Sequence, residues 1–487
     1  VWGRQLEGPA TGQTSEEVQV GQTIRLGIDV ACRADHQASC ANGVGEFLWS
    51  GWRFRTIPRD LERLWAKLPE GADVTVVLEP TRNAWVPLAA WLQARGAKVV
   101  MVPPEQSADL RDYYNKHTKT DRLDSRVLAR LPLLHPDGLR PIDHLGPAQP
   151  LLRAVRSRSR LVKRRTAVSL RLDTLLELLG PSWADVLGTG DYSKSALAVL
   201  ERYADPRALE KLGRKRLTTL LVRASRGAWR ESKADDLLLC ADESIELWAG
   251  GGLDFEELAA DIATDVRLIR QLNAEIAAMD DRIEALYDEA DPKGIFVSTP
   301  GIGVTLSAGI LGRLGDPDRF ANLAGVRSFT GLVPKIDQSG LENRRKGVTK
   351  AGDPGLREAL YLAADLARKV DPTLAARYHR LVVDEGRHHV SAVCTLAAVL
   401  ATRIAACWRR GETYVLHDSE GNEITEDEGR TICAERYKVS AAVRQARRNG
   451  TQAKKLKQAG RGSKESTKAA PASSPPVVDA TRAAAVA

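Results

Sequence analysis

Four acidic residues have the types and spacing of a phosphoryl-transfer site. Asp29 closes the apolar run Ile24-Arg-Leu-Gly-Ile-Asp-Val30, and Glu79 closes Val74-Thr-Val-Val-Leu-Glu79. Asp121 and Asp124 stand three apart in Lys119-Thr-Asp-Arg-Leu-Asp124, inside a stretch whose pattern predicts a helix over 121–130. Residues three apart share one helical face. Carboxylates at strand ends, with a pair on a helix, make a set of hard oxygen donors. Magnesium takes such donors and keeps part of its water shell, so three or four carboxylates suffice. Two such ions can activate a nucleophile and stabilise the leaving oxygen of a phosphodiester. Crowded carboxylates otherwise raise one another's pKa. Each acid alone reads more simply as a turn residue or helix cap. Their joint order favours chemistry, and the expected cofactor is Mg²⁺ at a two-metal site, with Mn²⁺ as a substitute.

The elements that must position these acids follow from patterning. Strands are predicted at 24–30, 45–50, 52–56, 74–78 and 98–102, and helices at 58–67, 83–95 and 121–130. Three early strands followed by alternating helix and strand give a mixed α/β domain over 23–150, compatible with an RNase H-like fold. Residues 1–22 are polar and read as a flexible arm. A long helix is predicted over 151–179, its first part basic, with Arg153, Arg156, Arg160, Lys163, Arg164 and Arg165. Such a helix can track a phosphate backbone, and a solvated surface helix gives the same pattern. Further helices over 194–248 break at Asp205-Pro206 and near Gly227. Ile269, Leu272, Ile276, Met279, Ile283 and Leu286 then form an a/d seam within 253–288. A dimeric coiled coil is the favoured reading, and a helix buried in one subunit gives the same spacing. Residues 291–437 form a second, mostly helical domain with helices near 304–314, 354–370 and 390–408 and a hairpin or loop after 411.

The chain has 487 residues and a net charge of +8. The segment 438–487 takes eleven Lys/Arg and two Asp/Glu, leaving 60 of the 71 basic residues against 61 of the 63 acidic ones. The body is thus near neutral, and this basic tail lacks the apolar content to pack and is expected to be disordered. Six scattered cysteines without a CxxC pair argue against a zinc site or disulfide framework and read as buried thiols. No apolar run reaches roughly 18 residues and no signal peptide opens the chain. A cytoplasmic protein with no membrane partner, nucleoid-associated when active, is expected.

Gly27-Ile-Asp-Val-Ala31, Leu78-Glu-Pro-Thr81 and Lys119-Thr-Asp-Arg-Leu-Asp124 resemble the insertion-sequence one-ten family of DEDD transposases. Ser298-Thr-Pro-Gly-Ile-Gly303, Gly331-Leu-Val-Pro334, Gln338-Ser-Gly340 and Gly347-Val-Thr-Lys-Ala-Gly-Asp353 are similar to that family's C-terminal domain. The resemblance spans roughly residues 24–410. It implies a RuvC-like N-terminal domain and a serine nucleophile, which falls on Ser339. Many members carry two serines there, whereas Gln338 and Leu341 leave only one here. A serine attacking a phosphodiester forms a phosphoserine link and conserves the bond energy for rejoining. Arg344, Arg345, Lys346 and Lys350 follow closely and could hold the phosphate. The resemblance further implies donor and target DNA as partners and a structured bridge RNA that supplies sequence specificity by base pairing. It also implies a homodimer assembling to a tetramer. The rival expectation is a metal-dependent Holliday-junction-type endonuclease that uses water as nucleophile and does not need Ser339.

Overall fold

Alternation of apolar side chains makes two central strands two-faced. In a strand, successive side chains point to opposite faces of the sheet. Ile24, Leu26 and Ile28 of β1 (Thr23–Asp29) are buried on one face, together with Val74, Val76 and Leu78 of the later strand Asp73–Leu78. The computed structural model describes residues 22–102, 120–134, 136, 139–142, 149–339 and 342–450. The chain divides into two compact units, Val1–Arg153 and Ala154–Ala487.

The first unit carries β1, β2 (His36–Asn42), β3 (Phe47–Phe54), α1 (Pro58–Trp65), β4 (Asp73–Leu78), α2 (Trp85–Gln93), β5 (Lys98–Met101), α3 (Asp121–Leu134) and the short β6 (Arg140–Pro141). The sheet order is β3-β2-β1-β4-β5-β6, with β1, β4 and β5 parallel and β2, β3 and β6 antiparallel to their neighbours. This is the mixed α/β architecture read from the sequence. Leu61 and Leu64 of α1 and Leu88 and Leu92 of α2 fill one face. Leu128 and Leu131 of α3 cover the other, against Val77, Val100 and Val102.

Two strand assignments need correction. β2 escaped the pattern reading because His-Gln-Ala-Ser-Cys-Ala-Asn contains no β-branched or large aromatic side chain. The two strands predicted at 45–50 and 52–56 are one, β3, which stays paired with β2 through register shifts at Ala38/Ser39 and Cys40/Ala41. Bulges of this kind bend a strand without ending it.

The boundary between the units falls within the first turn of α4 (Pro150–Glu177), which the second unit follows with α5 (Ser182–Leu187), α6 (Lys194–Tyr203), α7 (Pro206–Ala224), α8 (Glu231–Leu247) and α9 (Phe255–Ala290). Asp205 caps α7, with Pro206 at its first position, and Asp254 caps α9. Trp183 is fully buried among these helices, and its Nε1 donates to Ser244 Oγ at 2.9 Å. The unit continues with α10 (Val304–Leu314), α11 (Leu323–Thr330), the hairpin β7 (Pro334–Ser339) and β8 (Glu342–Val348), α12 (Pro354–Ala367), α13 (Pro372–His379), a π turn (Arg380–Asp384), α14 (His389–Arg410) and α15 (Glu426–Arg436).

The a/d seam of α9 is covered in part within the chain, with Leu272, Met279 and Leu286 half-buried. Ile269, Ile276 and Ile283 are buried. The residues that face α4 form a ladder: Arg158 bonds Asp280, Arg165 Nη1 donates to Asn273 Oδ1 at 3.2 Å, and Arg171 Nε lies 3.3 Å from Asp265 Oδ2. Rising numbers on α4 against falling numbers on α9 make the pair antiparallel. Burial within one subunit accounts for these three isoleucines, and the half-buried Leu272, Met279 and Leu286 leave the dimeric reading open.

Three further expectations change. The hairpin or loop expected after 411 is present as the antiparallel bridge His417–Glu423, but it is followed by an unexpected helix, α15, held by a Thr425/Glu428 capping box. Residues 441–450, expected in the disordered tail, are helical, and Arg447 donates to the carbonyls of Val382 and Val383 at 3.1 and 3.0 Å. Residues 451–487 of the predicted tail, and most of the predicted arm, lie outside the described residues. Finally, α14 is long and apolar enough to cross a membrane by length and composition. Leu396, Ala397, Leu400, Ala401 and Ile404 are buried within the second unit, so its apolarity serves as core.

Candidate active site

The acids of the first unit meet at one end of the sheet because of strand register. Ile28 pairs with Leu78 across the parallel β1/β4 ladder. Asp29 and Glu79 therefore follow at the same level, at the carboxyl ends of neighbouring strands about 4.8 Å apart. Alternation sends both toward α3. Gly27, two residues before Asp29, lies under α3, and Val77, two before Glu79, packs on Leu128 and Leu131 of that helix.

Gly27 sets how closely α3 approaches. A Cβ there would stand 2.2 Å from Ala129 N and from Ser125 O. The hydroxyls of Ser39 and Ser125 meet at 2.8 Å beside it. The far end of α3 reaches the β2–β3 turn, where Leu133 lies against Gly45. The helix thus runs opposite to β1, and its first turn, with Asp121 and Asp124, sits toward the carboxyl end of β1. Thr120 caps that turn by accepting from Leu123 N at 3.2 Å, and Arg122 Nε donates to Ser50 Oγ at 3.2 Å.

The loops after the two strand-end acids are held in place. His36 Nδ1 accepts from Ala31 N at 3.1 Å, which leaves the ring proton on Nε2, 2.7 Å from Thr56 Oγ1. Burial holds the imidazole below its usual pKa range, so it stays neutral. Cys32 Sγ approaches the Thr81 carbonyl at 3.8 Å, joining the loop after Asp29 to the loop after Glu79. Arg82 closes that second loop at φ 48°, a left-handed conformation uncommon for a non-glycine residue.

Sequence reasoning missed Gln37, which stands opposite Asp29 in the β1/β2 register. Its Oε1 is buried without a hydrogen-bond partner among the described residues. Gln37, Arg53, Asp121 and Arg122 line an open groove of about 450 Å³. Only the strand assignment of His36–Asn42, missed from propensity, could have placed Gln37 beside Asp29. The donor set, carboxylates plus an orphaned amide oxygen, fits a hard divalent cation. Among the described residues no three His, Cys, Asp or Glu side chains are gathered closely enough to hold one. The backbone brings the acids to one end of the sheet without closing a coordination sphere.

In the second unit Ser339 ends β7, paired with Glu342 where the hairpin turns. Asp337 pairs with Arg344, Ile336 with Arg345 and Lys335 with Lys346. The side chains of Ser339, Arg344, Arg345 and Lys346 lie outside the described residues. The base of the hairpin is locked: Thr349 N donates to Val333 O at 2.9 Å and Lys350 N to Gly331 O at 3.1 Å. Lys350 is exposed and held at φ 58°. A Cβ at Gly331 would fall 1.9 Å from Ala351 O, and one at Gly352 would fall 2.3 Å from Phe329 O. The glycines of the two motifs are thus required where their backbones cross.

Asp353, the last residue of that motif, caps α12 by accepting from Gly355 N at 2.7 Å and Leu356 N at 3.1 Å. Arg313 Nη1 and Arg156 Nη2 reach its two oxygens at 3.0 and 3.1 Å. Burial pushes this carboxyl up, but the guanidiniums and amides outweigh burial and hold it below the usual range. Arg156 and Arg165, candidates for phosphate contact, therefore make bonds within the chain. Arg153, Arg160, Lys163 and Arg164 are exposed.

A DEDD-type IS110 transposase model matches residues 26–181, and a model described as "Transposase IS116/IS110/IS902 family" matches 294–379. The first spans Asp29, Glu79, Asp121 and Asp124, and the second spans Ser339. The IS110 insertion-element protein of Streptomyces coelicolor is 27% identical over 73% of this chain and 86% of its own length. The IS900 insertion-element protein of Mycobacterium paratuberculosis is 28% identical over 78% of this chain and 94% of its own. The IS116 insertion-element protein of Streptomyces clavuligerus is 27% identical over 77% and 92%. With both domain types in this order, the chain belongs to the IS110 family of transposases.

Proposed function

We propose that this transposase is a DNA recombinase that cuts and rejoins donor and target DNA through Ser339. The observation that carries the reading is the shared level of Asp29 and Glu79, with the first turn of α3 at the same end of the sheet. That placement supports a RuvC-like arrangement of acids and a divalent metal, Mg²⁺ or Mn²⁺, held by Asp29, Glu79, Asp121 and Asp124. Such a metal, when bound, supplies Lewis-acid stabilisation of charge on phosphate oxygens.

Ser339 Oγ attacks the phosphorus as its proton is lost to solvent, the bond to the 3′ oxygen breaks, and that oxygen takes up a proton from solvent. The products are a 5′-phosphoserine and a free 3′ hydroxyl. A 3′ hydroxyl from the exchanged strand then attacks the phosphoserine, releasing the serine and restoring a phosphodiester without ATP. Arg344, Arg345, Lys346 and Lys350 hold the phosphate and offset its developing charge. The family resemblance adds the bridge RNA that selects both DNA sites, and a tetramer of two dimers acting on DNA in the cytoplasm.

The test is trapping of a covalent protein–DNA adduct on a nicked donor-end substrate with the matching RNA. Wild type is expected to give an adduct that survives denaturation, and Ser339→Ala to give neither adduct nor cut. Cleavage by Ser339→Ala, without adduct in either protein, overturns the serine mechanism in favour of water-driven hydrolysis at the acids.

A further inference from the structure

Five arginines from neighbouring elements of the second unit gather in one region, four of them around Arg377. They are Arg327 on α11, Arg377 on α13, Arg380 on the π turn, Arg387 before α14 and Arg403 on α14. α11 and α13 both pack on α14, and the π turn packs on α13, which brings these side chains to one region. Two acids answer them. Glu385 pairs with Arg387 at 2.8 Å and with Arg380 at 3.7 Å, and Asp371 pairs with Arg403 at 3.0 Å. Among the described residues, Arg327 and Arg377 enter no ion pair, and both are exposed. Burial lowers the Arg377 pKa, and the four like charges around it lower it further. The body of the chain is close to neutral, so this local excess is not a by-product of overall composition.

A fold that crowds like charges bears a repulsion that an anionic ligand removes. Guanidinium forks match phosphate oxygens in pairs. The ligand chemistry is therefore a run of phosphodiesters. Unpaired nucleic acid is gripped mainly by aromatic platforms that stack its bases. Among the described residues every Phe, Tyr and Trp side chain is buried or half-buried. Backbone contact without stacking suits a duplex, and the family's substrate is DNA.

We infer that Arg327 and Arg377, flanked by Arg380 and Arg387, form a docking surface for the phosphate backbone of duplex DNA, remote in sequence from the acids and carried by helices rather than by the Ser339 hairpin. The inference rests on the proposed DNA-recombining function and adds a holding surface to it.

Full-length protein is titrated into a labelled duplex of about 30 base pairs by fluorescence anisotropy, with chelator present to prevent cutting, between about 50 and 200 mM salt. Each phosphate contact contributes about 0.9 to the slope of log affinity against log salt. Arg327→Ala/Arg377→Ala is expected to lose about 1.8 of that slope and to bind about tenfold or more weakly at the lowest salt. Arg327→Lys/Arg377→Lys, which keeps the charge, is expected to retain the slope and guards against a folding artefact. Arg430→Ala removes an exposed arginine already paired with Glu426 and is expected to leave the slope in place. An unchanged slope in the alanine pair, with wild type binding, overturns this surface and leaves the proposed function standing. Failure of wild type to bind duplex DNA at all overturns both. Loss confined to a matched double-stranded RNA overturns the assignment to DNA.

Discussion

Asp29 and Glu79 stand side by side, each one residue beyond the paired Ile28 and Leu78 at the carboxyl ends of adjacent parallel strands. Two carboxylates so placed repel unless a cation or hydrogen-bond donors intervene. Mg²⁺ or Mn²⁺ should therefore stabilise the fold. At a hundred times its dissociation constant a ligand adds about 2.7 kcal/mol. Thermal melts with and without Mn²⁺ should show an upward shift in wild type that Asp29→Asn and Glu79→Gln each largely lose. An equal shift in Asp29→Asn would remove that residue from the metal site.

Gly27→Ala tests how α3 is held. The added methyl would meet Ala129 N and Ser125 O at 2.2 Å, and both are backbone atoms that cannot rotate away. The helix must lift, straining the Ser39–Ser125 contact and shifting Asp121 and Asp124. The expected cost is about 1–3 kcal/mol or more, together with a weaker metal-induced shift. Urea unfolding gives the first and melts in Mn²⁺ the second.

The placement of the acids at strand ends and a helix start was legible because these are local features, written in contiguous runs. Gln37 was not, since His36–Asn42 holds its place through pairing with β1 and β3 on both sides and not through its own propensity. The α9 seam was legible as a seam but not as to its partner. The ladder that joins α9 to α4 couples residues 94 to 122 positions apart, and no window on either helix contains both halves. Helix α15 carried a readable signal in Thr425 and Glu428, obscured by an acidic sequence with little apolar content. The arginines around Arg377 are scattered over 77 positions in sequence, and only packing on α14 unites them.

Arg156 and Arg160 lie one helical turn apart and should behave differently. Arg156 bonds Asp353, whereas Arg160 is exposed. Arg156→Ala is expected to lower stability by about 1–2 kcal/mol, and Arg160→Ala to leave it unchanged while weakening nucleic-acid binding. Asp353 adds a pH dependence. Its folded pKa is depressed, so its contribution is fully present above the unfolded value near about 4 and is lost as pH falls through the folded value. Asp353→Asn should lower the melting temperature at pH 7 and flatten its fall on the acid side.

Asp265 has the opposite sign. It is fully buried on α9, and Arg171 Nε, 3.3 Å away, lacks the alignment of a hydrogen bond, so neither carboxylate oxygen has such a partner among the described residues. Burial raises its pKa, Arg171 offsets part of the rise, and Asp261 adds to it. The folded state then holds the proton more tightly than the unfolded state, so stability falls as pH rises above the unfolded value near about 4. Replacing a buried charged pair by well-packed apolar side chains is often neutral or stabilising, by up to about 1–4 kcal/mol. Asp265→Leu should therefore raise the melting temperature at pH 7, with a gain that shrinks toward pH 4. A variant less stable than wild type at pH 7 would show that the Arg171–Asp265 contact outweighs the burial of the carboxylate and is a fixing point of the α4–α9 ladder.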